Sequence, residues 1–197
     1  VAVNFRGCSG EPNRRTRMYH SGETQDLQLV IDHALSSGQY RYISLIGFSL
    51  GGNVILKYLG ESGASVNPAI MAAVALSAPC DLKSCSDKLD HWSNWAYSAR
   101  FLKLLRKKIE TKAARYPHLI DISNLASVKT LKDFDEKFTA PIHGFRNADD
   151  YYRRSSSRQF IGAIRVPCLL INSQDDPFLT PECYPLEEAR TNPSLFL

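Results

Sequence analysis

The stretch "YRYISLIGFSLGGNVILKYLGES", Tyr40 to Ser62, decides how the chain is read. It opens on a β-branched and aromatic run, turns through "GFSLGG" at Gly47 to Gly52, and continues with helical periodicity from Asn53 to Leu59. Strand, Gly-rich turn and helix in that order predict a nucleophile elbow with Ser49 at its tip, where side chains two positions to either side would collide with the turn. Gly47 and Gly51 are the positions expected to relieve that crowding. A serine there stands near a helix N-terminus, which favours developing negative charge, and the backbone N–H of Leu50 becomes the candidate oxyanion donor. The competing reading is a Gly-rich turn with a passive serine. The spacing has neither the GxxxxGK[ST] of a P-loop nor the GxGxxG of a dinucleotide site.

Working outward, four short apolar runs read as buried parallel strands: Val1 to Phe5, Tyr42 to Ile46, Ala69 to Leu76 and Val166 to Ile171. Such runs are expected where both faces of a sheet are covered. Between them, Thr24 to Ser36 places Leu27, Val30, Ile31, Ala34 and Leu35 on one side of a helix. Strand and helix alternating in this way predict an α/β fold with a mostly parallel sheet and flanking helices, in a single domain spanning 1–197. From about 84 to 157 the pattern turns helical and loop-like, without a clear strand. The expectation is a lid-like insertion over the carboxyl ends of the strands.

An elbow serine needs an acid after a later strand and a base after the acid. "VPCLLINSQDDPFLTP" supplies the acid, with Asp176 the better fit and Asp175 the runner-up, and a turn role as the remaining alternative for both. The histidines are His20, His33, His91, His118 and His143, and none follows Asp176. The catalytic base is therefore expected to be absent from these residues. His33 reads as a structural residue near the apolar face of its helix, and His91, His118 and His143 at best as pocket lining.

Composition narrows the classes further. At 44% hydrophobic and 22% charged, the chain is that of a globular protein. The net charge of +4 is uneven: Tyr97 to His118 holds seven Lys/Arg against one Glu, hence +6. On a helix, Phe101, Leu102, Leu105 and Ile109 share one face and most cations point elsewhere. A solvated face explains this, with peripheral membrane contact through 97–118 or an anionic substrate as the alternative. No nucleic-acid signature accompanies the patch. The five cysteines are odd in number and lack metal-site spacing, which argues for reduced thiols, a cytoplasmic setting and no metal.

Five ordered blocks, "NFRGCSGEPNR", "YHSGETQDL", "GFSLGGNVILKYLGE", "HGFRNADDYYRRSSS" and "VPCLLINSQDDPF", resemble the YheT-type branch of the α/β-hydrolase superfamily. The resemblance implies an α/β-hydrolase fold, truncated at both ends here, and a serine hydrolase of short-chain esters or acylglycerols that needs no cofactor. It implies Ser49 as nucleophile and Asp176 as acid, with the base and the second oxyanion donor outside the chain. Two rivals stay open: an acyltransferase using the same residues, and a catalytically silent lipid- or protein-binding module.

Overall fold

The computed structural model describes residues 1–197. They pack as two compact units, one formed by Ser21–Cys85 with Arg153–Leu197 and the other by Val1–His20 with Ser86–Tyr152.

The first unit is built on a four-stranded sheet in the order β1 (Ile43–Phe48), β2 (Ile70–Leu76), β3 (Cys168–Ile171) and β4 (Leu195–Phe196). All neighbouring strands run parallel. β1 leads into α2 (Leu50–Ser62), and α1 (Thr24–Ser36) precedes it with the bounds its apolar periodicity predicts. Ile31 on α1 and Leu56 and Leu59 on α2 pack into one core with Ala73, Ala75, Cys168 and Leu170 from the inner face of the sheet. The two helices are tied by the Tyr58 hydroxyl, which donates to Gln28 Oε1 at 2.7 Å. The Thr24 hydroxyl donates to Glu61 at 2.9 Å, beside the Lys57–Glu61 ion pair at 2.5 Å. α8 (Leu186–Thr191) connects β3 to β4.

Two expectations change here. Val1 to Phe5 forms no strand; Val1 and Val3 are exposed, and no ladder includes them. An apolar run has strand geometry only when its N–H and C=O groups find a partner edge, and this one has none. The sheet is also covered on one face rather than two. Its inner positions alternate with exposed ones, and Ile46, Phe48, Leu169, Ile171 and Phe196 all point outward.

The second unit carries α4 (Trp95–Arg115), α5 (Leu131–Phe134), a π-turn segment (Asp135–Thr139) and α6 (Ala140–His143). Leu102, Ile109 and Ala113 of α4 bury against Ile120, Leu125, Val128, Phe134 and Phe138. α5 starts on a capping box: Thr130 Oγ1 accepts from the Asp133 N–H, and Asp133 Oδ2 accepts from the Thr130 N–H, each at 3.0 Å. Asp90, at the end of α3 (Leu82–Asp90), accepts from the Leu131 N–H at 2.9 Å. α7 (Ala148–Ser155) contributes Tyr151 and Tyr152, both buried. No helix of the chain is long and apolar enough to cross a membrane.

Candidate active site

Ser49 occupies the junction of β1 and α2 with φ 51° and ψ −121°, a conformation disfavoured for a residue with a side chain. The chain is held there from both directions. The Ser49 N–H donates to the Leu76 carbonyl at 2.8 Å, extending the β1–β2 ladder by one bond, and the Ser49 carbonyl accepts from Asn53 at 3.2 Å, starting α2. Ser49 itself is exposed. Leu50 is the first residue of α2, so its N–H has no intrahelical acceptor and stands beside the serine.

Within the elbow glycine is needed at two places, one of which differs from expectation. A Cβ on Gly47 would lie 2.4 Å from the Gly51 carbonyl oxygen, so the strand end and the helix start meet backbone to backbone. At Gly51 a Cβ would meet nothing within 4 Å. The second crowded position is Gly52, where a Cβ would come 2.9 Å from Ala78 Cβ, so the helix packs directly on the loop after β2.

Behind the elbow, Asn53 is fully buried and saturated. Its amide donates to the carbonyls of Ser21 at 2.8 Å and Ser155 at 2.9 Å, and its oxygen accepts from the Ser157 N–H at 2.9 Å. The first turn of α2 is thereby fixed to two distant stretches of chain. A polar residue following a glycine turn was the visible sign of this; its partners were not readable from the sequence.

The acid candidates follow β3, so they and Ser49 lie at the same carboxyl end of the sheet with β2 between them. At ordinary strand spacing that separation is on the order of 10 Å. Asp175 is exposed and receives the Ser173 hydroxyl, which holds its carboxyl below the usual range. Asp176 is partly buried and shaped by its own loop: Oδ1 accepts from the Phe178 N–H at 2.8 Å, and its N–H donates to Ser173 at 3.2 Å. Asn172 fixes the root of this loop. It accepts from the Ala78 N–H at 2.9 Å and donates to the Cys183 carbonyl at 2.9 Å, tying the ends of β2 and β3 to the turn beyond the acids. Sequence reasoning passed over Asn172, a single polar residue after an apolar strand.

Two cysteines close the same loop. Cys85 Sγ and Cys183 Sγ are 3.3 Å apart in the core. The two thiols share one hydrogen bond, and that bond holds the Cys183 thiol below its ordinary range and the Cys85 thiol above it.

His33 is exposed on α1, not near an apolar face. His143 has Nδ1 2.8 Å from the Thr139 carbonyl and Nε2 3.0 Å from the Met18 carbonyl, and His20 stands edge-on to its ring. His91 engages Ser93 within its own turn, and His118 is exposed. No grouping of three or more His, Cys, Asp or Glu could hold a metal ion.

A strained serine between a parallel strand and a helix, with carboxylates after a later strand, is the arrangement of an α/β hydrolase, and the profile of the alpha/beta hydrolase fold family matches residues 1–195. The chain belongs to that family, in its YheT-type branch. It is 37% identical over 96% of its length to the protein named "Putative esterase YheT" from Escherichia coli, covering 56% of that chain. It is 32% identical over its whole length to "Phospholipase ABHD3" from Mus musculus, covering 48% of it. A third relative, "Monoacylglycerol lipase" from Saccharomyces cerevisiae, is 28% identical over 98% of this chain and 44% of its own. The chain thus spans about half the length of these relatives.

Proposed function

We propose that the protein is a serine hydrolase of carboxylic esters, with short-chain esters or acylglycerols as substrates. Ser49 gives its proton to a base oriented by Asp176 and attacks the ester carbonyl, the Leu50 N–H receives the oxyanion, and the alcohol departs with that proton as the ester C–O bond breaks; water then releases the acid from the acyl-enzyme. The observation that carries this reading is the strained, exposed Ser49 backbone, because such strain persists only where the surrounding structure enforces it. The names of the relatives support an ester or lipid substrate. Asp176 is preferred over Asp175 because its loop shields and orients it, whereas Asp175 is exposed and engaged by Ser173. None of the five histidines is assigned as the base.

The test is labelling of the full-length protein by a fluorophosphonate, together with hydrolysis of a p-nitrophenyl butanoate. Labelling and turnover lost in Ser49→Ala, and turnover reduced at least about 100-fold in Asp176→Asn, are expected. An unlabelled wild-type protein, or equal labelling of Ser49→Ala, overturns the proposal and favours a silent binding module. The ratio of free acid to new ester in the presence of an alcohol separates hydrolysis from acyl transfer.

A further inference from the structure

The basic stretch of α4 is resolved by the structure into two classes of cation. Lys112 is buried and spent, donating to the Asn13 backbone carbonyl at 2.9 Å and its side-chain oxygen at 2.6 Å. Lys108 reaches Cys8 Sγ at 2.8 Å and lies 4.4 Å over the Tyr19 ring, and Arg106 donates to the Val128 carbonyl. Arg100, Lys103 and Lys107 are exposed and form no ion pair. Their spacing of three and four residues puts them on one stripe of the helix.

Beside that stripe runs an apolar one. Tyr97, Phe101 and Leu104 follow each other at i, i+4 and i+7 and are 47%, 36% and 51% exposed. Phe101, expected from the sequence to share the buried face, belongs to this outward stripe instead. The turn leading into α4 adds Trp92 at 78% exposure, and Trp95, the first residue of α4, is 70% exposed on another side of the helix. From Trp92 to Lys108 there are five Lys/Arg and no Asp or Glu.

Exposed tryptophans at one end, an outward aromatic and aliphatic stripe, and a flanking row of unpaired cations are what an interfacial helix presents to a bilayer. We propose that Trp92 to Lys107 is a peripheral docking surface for an anionic phospholipid bilayer. Tyr97, Phe101 and Leu104 enter the headgroup and acyl boundary, with Trp92 ahead of them in the preceding turn, while Arg100, Lys103 and Lys107 meet lipid phosphates. Charge selects this occupant: an aqueous protein partner would satisfy the apolar stripe, but a row of cations without any carboxylate calls for a dense anionic surface. The proposal moves the contact toward the N-terminal end of α4 and upstream of Tyr97, away from the spent lysines. It does not depend on the hydrolase reading.

The test is co-sedimentation of the full-length protein with phosphatidylcholine vesicles containing or lacking phosphatidylglycerol, with tryptophan emission followed in parallel. Binding to the anionic vesicles with a blue shift is expected. The triple variant Arg100→Gln, Lys103→Gln, Lys107→Gln should bind on the order of 100-fold more weakly. The double variant Phe101→Ser, Leu104→Ser, which keeps both tryptophans as reporters, should lose the blue shift and most of the binding. Ser49→Ala should bind like the wild type, which separates this proposal from the catalytic one. Unchanged far-ultraviolet circular dichroism checks that the exposed substitutions leave the fold intact. Absence of binding to anionic vesicles, or equal binding by the charge-neutralised variant, overturns the proposal. So does a concentration-dependent dimer, lost in the Phe101 and Leu104 variant, without vesicle binding.

Discussion

Gly47 and Gly51 meet backbone to backbone, so closely that a Cβ on Gly47 would lie 2.4 Å from the Gly51 carbonyl oxygen. A clash with backbone cannot be relieved by a side-chain rotation. Gly47→Ala must therefore move the end of β1 or the start of α2, at a cost of about 3 kcal/mol or more. Gly51→Ala faces open space and sits within a helix, so its effect should stay within about 1 kcal/mol. Urea unfolding of the two variants checks the contrast, and equal destabilisation would contradict this account of the elbow.

Ser49 carries a backbone conformation that suits glycine better than serine. Ser49→Gly should stabilise the protein by about 1 kcal/mol through relief of strain while abolishing fluorophosphonate labelling. Thermal unfolding reads the first effect and labelling the second. A lower melting temperature would mean that the serine side chain stabilises the turn.

Asn53 satisfies three backbone groups from the interior of α2. Asn53→Ala leaves the Ser157 N–H and two carbonyls without that partner, and a loss of about 3 kcal/mol is expected. Asn53→Asp should be no milder, because an added carboxylate oxygen would face the carbonyls of Ser21 and Ser155. Denaturant midpoints rank the two variants.

Burial pushes the Asp135 carboxyl up to about 6, against hydrogen bonds from Thr139 at 2.6 Å and Tyr152 at 2.8 Å that pull it down. A raised folded-state value means that the native state holds the proton more tightly than the unfolded chain does. The associated stability is complete below pH 4, declines as pH rises and is lost once pH passes 6, amounting to about 2 to 3 kcal/mol. Asp135→Asn should flatten the stability profile between pH 4 and 6. A profile unchanged by that substitution would assign the pH dependence to other groups.

The hydrogen bond shared with Cys85 is the largest of the causes that hold the Cys183 thiol below the ordinary range. Thiolate absorbance at 240 nm should therefore show a transition in the wild type that moves to higher pH in Cys85→Ala. A midpoint that stays put would leave the buried pair without coupling.

Much of the fold was legible because local pattern and tertiary environment agreed. α1 kept its predicted bounds since its apolar stripe, centred on Ile31, is the face the core accepts. β2 and β3 were recognisable as apolar runs ended by turns. Val1 to Phe5 failed because hydrophobicity does not supply a hydrogen-bonding neighbour, and Leu195–Phe196 was missed because two residues are too short for a period. Around Ser49 the motif identified the turn, but not which glycines are crowded. Gly52 matters through Ala78, a contact that only the packed loop after β2 creates. Asn53 and Asn172 escaped for the same reason: their partners lie in remote stretches, and a lone amide carries no periodic signal. On α4 a helical wheel placed Phe101 inside, and the true core face turned it out.

The bond from Asn172 to Ala78 joins positions 94 apart, and β3 beside β2 inherits that separation. Closing so distant a contact is entropically costly and slows folding. The intervening residues 86–152 belong, with Val1–His20, to the other compact unit. β1, α2 and β2 are contiguous in the chain and form their pairings at short range, so the serine elbow has its scaffold early. The acid loop waits for β3. During synthesis Ser49 is thus set in its turn before Asp175 and Asp176 emerge.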